Sequence, residues 1–290
     1  MTEQFRKSET EQNPLRIGCI NIMPEAHTYE PFLLSSLDRP GYRTEPVWIH
    51  LVSHAYRSTP RDHLARHYVT FEQALSSGPL DGLILTGAPV ETFPFSTITY
   101  WPELFRILTY ARKSIPGTLG LCWGAIALGK VMGIDEEVYE KKLFDVFPGL
   151  PLVPGISLGG GHTGRFHCPH SRFAGISDAS ISWSVGNGET RILATGPETG
   201  AFIFESTDKR FLGHLGHPEY PATRLVHEWE RDLEKGRADV TLPTYFNPDN
   251  PENTWKPHTG AFFSYWLKNL VNQKKNQENR AVRTAGRGKI

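Results

Sequence analysis

Short apolar runs alternate along the chain with stretches whose apolar residues recur at helical spacing. The runs at 17–22, 45–52, 81–86 and 118–122 are β-rich or continuously apolar and predict strands. Between them, residues 30–38 have helical periodicity, and a polar, histidine-bearing stretch at 53–66 leads into a helix over 67–77. That helix stops at Ser76-Ser77-Gly78-Pro79. Residues 101–113 place apolar side chains at 101, 104, 105, 107, 108 and 111, one face of an amphipathic helix. Strands that are apolar throughout, separated by helices, predict a parallel sheet covered on both faces.

Beyond about residue 150 the texture changes. Glycines crowd 155–164, and Cys168-Pro169-His170-Ser171-Arg172 reads as loop. Residues 191–195, 200–205 and 210–216 read as three short strands joined by hairpin-length turns, and 221–235 and 260–269 as helices. The domain reading is a disordered leader over 1–14, one α/β domain over 15–272, and a disordered basic tail over 273–290.

The 118–128 stretch carries the candidate chemistry. A strand runs into a turn with the pattern Gly120-Leu121-Cys122-Trp123-Gly124 and then into a helix of small and aliphatic residues. Such an elbow holds its central residue in a strained conformation at the carboxyl end of the sheet, where open α/β sheets bind ligands. A thiol there also sits at a helix N-terminus, which favours the thiolate. Cys122 is therefore the candidate nucleophile. It needs a base with an acidic orienter, and His217-Pro218-Glu219, directly after a strand, supplies both. Cys19 and Cys168 have no elbow around them and read as small buried hydrophobes.

Composition changes this picture little. At 290 residues, 39 % hydrophobic and 21 % charged, the chain is an ordinary globular one, and 31 basic residues balance 31 acidic. Neither a nucleic-acid nor a membrane partner is indicated. The absence of an apolar leader, with only three scattered cysteines, points to the reducing cytoplasm. No His-Glu-x-x-His zinc motif occurs, so no metal is assigned.

The Cys122 elbow with His217-Pro218-Glu219 resembles the class I glutamine amidotransferase-like superfamily. Further motifs narrow the resemblance to its homoserine O-acyltransferases. They are Asn21-Ile22-Met23-Pro24, Ser58-Thr59-Pro60 with Phe71-Glu72, the run 81–89, Tyr100-Trp101-Pro102, Pro169-His170-Ser171-Arg172, Gly216 to Tyr220, Glu228 with Arg231-Asp232, the run 245–251, and Trp255 with His258 followed by Trp266-Leu267. The resemblance spans about residues 15–270, in order. It implies an α/β three-layer αβα sandwich of flavodoxin-like type with a mostly parallel central sheet.

It also implies an acyltransferase of methionine-pathway type. An acetyl group would pass from acetyl-CoA through a Cys122 acyl-enzyme to the hydroxyl of L-homoserine, acetyl-CoA being a co-substrate and no cofactor being bound. Lys142, Ser171 and Arg231 match residues that hold the amino-acid acceptor. Glu228, three residues before Arg231 on the same helix face, is placed to meet its α-ammonium. The N–H groups of Trp123 and Ala88 are the expected oxyanion donors. Glu91 falls where the family carries glutamate with acetyl donors and glycine with succinyl donors. Homodimers are the family's tendency.

The chain departs from the family at one place. A pair of lysines and then Thr-Glu-x-Gln usually follow Asn-x-Met-Pro, but here the chain reads Glu25-Ala26-His27-Thr28-Tyr29-Glu30-Pro31. L-Serine or another hydroxy amino acid thus stands as an alternative acceptor. Glutamine amidotransferase or glutaminase chemistry is the alternative reaction, because the triad alone suits both.

Overall fold

The computed structural model describes residues 13–159, 164–237, 240, 243, 247 and 249–287. Strand β1 (Leu15–Ile20) pairs in parallel with β2 (Thr44–Ile49) on one side and β3 (Gly82–Leu85) on the other; β4 (Thr118–Leu121) extends the sheet beyond β3. Strands β3 and β4 are buried at every position, so they read as unbroken apolar runs. Helices α1 (Ala26–Leu37), α2 (Arg61–His67), α3 (Phe71–Ser76) and α4 (Trp101–Ser114) lie between these strands in sequence. A capping box, Thr70 with Gln73, starts α3.

The later elements turn the sheet antiparallel. They are α5 (Trp123–Val131), β5 (Glu136–Pro151), β6 (Phe166–Ile176), α6 (Asp178–Gly186), β7 (Thr190–Gly196), β8 (Gly200–Ser206), β9 (Phe211–His214), α7 (Arg224–Glu234) and α8 (Lys256–Arg287). Among the described residues nine strands form one mixed sheet in the order β2-β1-β3-β4-β9-β8-β7-β5-β6. Strand β9 is the seam: it runs parallel to β4 and antiparallel to β8. With Leu121 opposite His214, the segments that follow β4 and β9 leave the sheet at the same end.

Helices cover both faces. A side chain at Gly82 would meet Leu270 and Trp266 of α8, whereas one at Gly120 would overlap the backbone of α5. Gly120 pairs with Leu85, three positions from Gly82, and side-chain direction alternates along a strand. The two helices therefore lie on opposite faces, in an αβα arrangement.

Three expectations are corrected. Cys168 to Arg172 is strand, not loop, because Pro169 lies in β6, an edge strand where a missing N–H is tolerated. Its partner β5 was not expected at all: the first half is charged and largely solvent-facing, and the pairing slips between Val138 and Leu143. The basic tail is helical through Arg287. There α8 carries on from the buried Trp266, Leu267 and Leu270, and Lys274 pairs with Asp81 at 2.7 Å. No break in structure falls at the 272/273 boundary. Residues 1–12 of the expected leader, and Tyr245, Phe246 and Pro248 of the 245–251 motif, lie outside the described residues.

Candidate active site

Cys122 joins β4 to α5 with φ 52° and ψ −117°, a region that costs a non-glycine residue about 1–3 kcal/mol. The surroundings hold it there. Its N–H donates to the His214 carbonyl at 2.8 Å, and its own carbonyl accepts from Ala125 N–H at 2.9 Å. The flanking glycines are required by space, since a β-carbon on Gly124 would overlap the Leu85 carbonyl and one on Gly120 the Gly124 carbonyl. The indole of Trp123 is buried and stacked on Phe95 at 5.7 Å, anchoring the first turn of α5.

His217 follows β9 into the same corner. Its N–H donates to the Pro169 carbonyl at 2.8 Å, and its ring stacks on Tyr220 with centroids 4.0 Å apart. Nδ1 lies 2.7 Å from Glu219 Oε1, and the ring sits beside Cys122, with His217 Cε1 and Cys122 Cβ both within 3.6 Å of the place a Gly87 β-carbon would take. A carboxylate only accepts, so Nδ1 carries a proton and Nε2 is left for the thiol. Burial disfavours the imidazolium, but the electrostatic influence of Cys122 and Glu219 outweighs it and raises the His217 pKa to about 10.

The thiol opens onto a cavity of about 960 Å³. Gly87 approaches so closely that a β-carbon there would lie 3.3 Å from Cys122 Cβ and 3.6 Å from His217 Cε1. Ala88, next in line, borders the cavity, and Trp123 opens α5, where the first N–H groups have no intrahelical acceptor. Ala88 and Trp123 thus follow directly on Gly87 and Cys122, the two residues that approach each other here.

The same cavity is lined by Glu91, Lys142, Ser171, Glu228 and Arg231. Lys142 Nζ is 2.6 Å from Asp232 Oδ2, and the Arg231 guanidinium reaches Asp232 Oδ1 at 2.9 Å. Glu228 Oε1 accepts from Tyr220 OH at 2.9 Å and Arg224 Nε at 3.2 Å. Burial raises the Glu228 pKa, but the charges of Arg224, His217 and Lys142 prevail and bring it below the usual range. Burial pushes Glu91 up, opposed by its own N–H and that of Phe173.

Tyr29, Arg224 and Asp232 join the site without any role that the sequence alone assigns them. Arg224 sits four residues before Glu228, a spacing that does signal a helical ion pair. Nothing local signals Tyr29, whose hydroxyl donates to Glu219 Oε1 at 2.6 Å from 190 positions away.

Behind the site, Cys168, His214 and His258 are buried together with their ligand atoms within 4.8 Å of one another. The imidazoles form a hydrogen-bond chain. Gly216 N–H donates to His214 Nδ1 at 3.0 Å, His214 Nε2 meets His258 Nε2 at 3.0 Å, and His258 Nδ1 meets the Leu158 carbonyl at 2.5 Å. Every ring nitrogen is used when both rings are neutral, with the protons on His214 Nε2 and His258 Nδ1. Cys19, like Cys168, is a buried free thiol.

Among solved structures, a glutamine amidotransferase from Thermotoga maritima matches 90 % of this chain and 98 % of its own, with TM-score 0.56 and 12 % identity, a likeness of fold. A homoserine O-acetyltransferase of Brevibacillus brevis is 36 % identical, covering 90 % of this chain and 85 % of the relative. One from Acetivibrio thermocellus is 33 % identical, covering 93 % and 89 %. The family model described as homoserine O-succinyltransferase matches residues 1–277. With its cysteine elbow on an amidotransferase-like sheet, the chain belongs to the homoserine O-succinyltransferase family of acyltransferases.

Proposed function

We propose that this protein transfers an acetyl group from acetyl-CoA to the side-chain hydroxyl of L-homoserine through a Cys122 thioester. The observation that carries the reading is His217, bonded to Glu219 and set beside Cys122 at the wall of a cavity large enough for both substrates in turn. The thiolate adds to the thioester carbonyl, and the oxyanion is met by the N–H groups of Trp123 and Ala88. As the adduct collapses, the carbon–sulfur bond to coenzyme A breaks and His217 gives its proton to the departing thiolate. The acceptor hydroxyl then attacks the acyl-enzyme, His217 takes its proton, and the Cys122 thiolate is released.

The lining supports this order. Arg224, His227, Arg231 and Lys235 follow one another along α7 at three- and four-residue spacing and all border the cavity, a wall suited to the phosphates of coenzyme A. Lys142, Ser171, Glu228 and Arg231 offer both charges that an amino acid's α-groups need. Glu91 supports acetyl over succinyl as donor. A succinyl carboxylate about 4 Å away would be repelled by roughly 4 kcal/mol at an effective dielectric near 20, before screening.

Mixing the protein with acetyl-CoA should add the mass of one acetyl group, with none added to Cys122→Ala. Thiol release in the presence of homoserine, serine and related hydroxy amino acids then ranks the acceptors. Preference for succinyl-CoA, or ammonia release from glutamine without acetylation, would overturn the reading.

A further inference from the structure

The segment Glu25 to Pro31, which departs from the family's lysine-bearing pattern, delivers Tyr29 to the catalytic corner. Its hydroxyl donates to Glu219 Oε1 at 2.6 Å, the same oxygen that lies 2.7 Å from His217 Nδ1. Tyr29 is 1 % exposed and does not line the cavity, so its hydroxyl is out of reach of either substrate. The other carboxylate oxygen of Glu219, Oε2, is buried with no hydrogen-bond partner among the described residues. Two donors therefore converge on one oxygen, and together they select which oxygen faces the histidine.

The first turn of α1 is built to hold this hydroxyl still. Asn21 Nδ2 donates to the Ala26 carbonyl at 2.9 Å, Thr59 Oγ1 accepts from Ala26 N–H at 3.0 Å, and Phe32 packs edge-on against the Tyr29 ring at 5.7 Å. Burial and the neighbouring Glu219 carboxylate keep the phenol protonated, so it is always a donor. Freed from this contact, the Glu219 carboxylate could rotate and lose its alignment with Nδ1.

We propose that Tyr29 is a positioning residue of the catalytic apparatus, acting on His217 solely through Glu219 by fixing the carboxylate oxygen that the imidazole uses. The proposal rests on the Cys122–His217–Glu219 geometry and is independent of which donor and acceptor the enzyme takes.

A double-mutant cycle tests it. Tyr29→Phe removes one oxygen and keeps the ring, and kcat should fall about tenfold, equivalent to ~1.4 kcal/mol, with KM for both substrates unchanged. In a Glu219→Gln background the same change should cost nothing further. The rate of Cys122 alkylation by iodoacetamide at neutral pH needs no acyl donor, and it should fall several-fold in Tyr29→Phe with the same dependence on Glu219. That readout stands even where no acetyl transfer is seen, which separates the two claims. 3,5-Difluorotyrosine at position 29 keeps the hydroxyl and ring while acidifying the donor, and it should restore alkylation. Parent-like kcat and alkylation in Tyr29→Phe, or an equal loss with and without the Glu219 carboxylate, would overturn the proposal.

Discussion

Lys142 and Asp232 form a buried ion pair, Nζ to Oδ2 at 2.6 Å, with the two side chains 5 % and 4 % exposed. The pair fastens β5 to α7, and the ammonium also lies 4.5 Å from the centre of the Phe144 ring. Burial pushes the Asp232 pKa up, but Lys142 and Arg231 more than reverse this. Removing one member of such a pair typically costs about 3–5 kcal/mol, because the other is left charged and buried. Lys142→Met should lose somewhat less, about 2–3 kcal/mol, since Arg231 still holds the second oxygen. Lys142→Met with Asp232→Leu should recover most of it, as read from urea midpoints. Equal losses in the single and double variants would show that the pair is not the source.

The elbow makes a sharper prediction. A β-carbon at Gly124 would overlap the Leu85 carbonyl, which belongs to a central strand and has nowhere to go. Gly124→Ala should therefore destabilise the fold by more than ~3 kcal/mol, or prevent folding. At Gly186, the last residue of α6, nothing lies within 4 Å of the added carbon, and alanine should be neutral or stabilise by up to ~1 kcal/mol. Thermal melts of the two variants side by side are the measurement. Parent-like stability in Gly124→Ala would mean that the helix can retreat from the strand.

What could be read from the chain divides along the same line. Cys122 and its two glycines form a local pattern, and their crowding is fixed by bonds only a few residues long. His217 and Glu219 are likewise two apart, and a strand end turns both toward one corner. The parallel strands were legible because burial on both faces leaves them continuously apolar. Strands β5 and β6 were not, because one is charged over half its length and the other contains Pro169. Tyr29 is invisible for a different reason: its role depends on α1 and the β9 exit meeting in space, and no spacing in the sequence encodes that meeting.

On the alkaline side, His217 should govern part of the stability. Its folded pKa of about 10 stands above the ordinary value near 6.5. The stabilisation from its ion pairs is therefore complete below pH ~6.5 and is lost as pH rises through about 10. Cys122→Ala removes the thiolate, the largest charge holding the proton on, so the loss should begin at lower pH in that variant. Melting temperatures from pH 7 to 10.5 should show the two curves separating; curves that stay parallel would exclude a thiolate–imidazolium pair. Lysines and tyrosines titrate in this range in both proteins, so the difference between the curves isolates the pair.

On the acid side, the buried imidazoles act with the opposite sign. Burial pushes His258 down to about 4 and His214 well below its ordinary value, the latter also lowered by neighbouring histidines. His170 is lowered too, by burial and then by Arg172. As pH falls, the unfolded chain binds these protons first, so stability is complete above pH ~6.5 and declines below it. Each such histidine contributes a slope of up to ~1.4 kcal/mol per pH unit once the unfolded form is fully protonated. Below pH ~6 His217 adds nothing further, being protonated in both states. The carboxylates of Glu228 and Asp232, whose pKa values are lowered, enter only near pH ~4. Urea unfolding from pH 8 to 4.5 should therefore show a steep fall beginning near pH 6. His258→Gln removes one of the titrating rings while keeping a group able to hydrogen-bond, and it should make that fall shallower by about one proton. A flat profile down to pH 5 in the parent would mean that the His214–His258 chain takes up a proton without loss, and that its neutral tautomers are not what the fold requires.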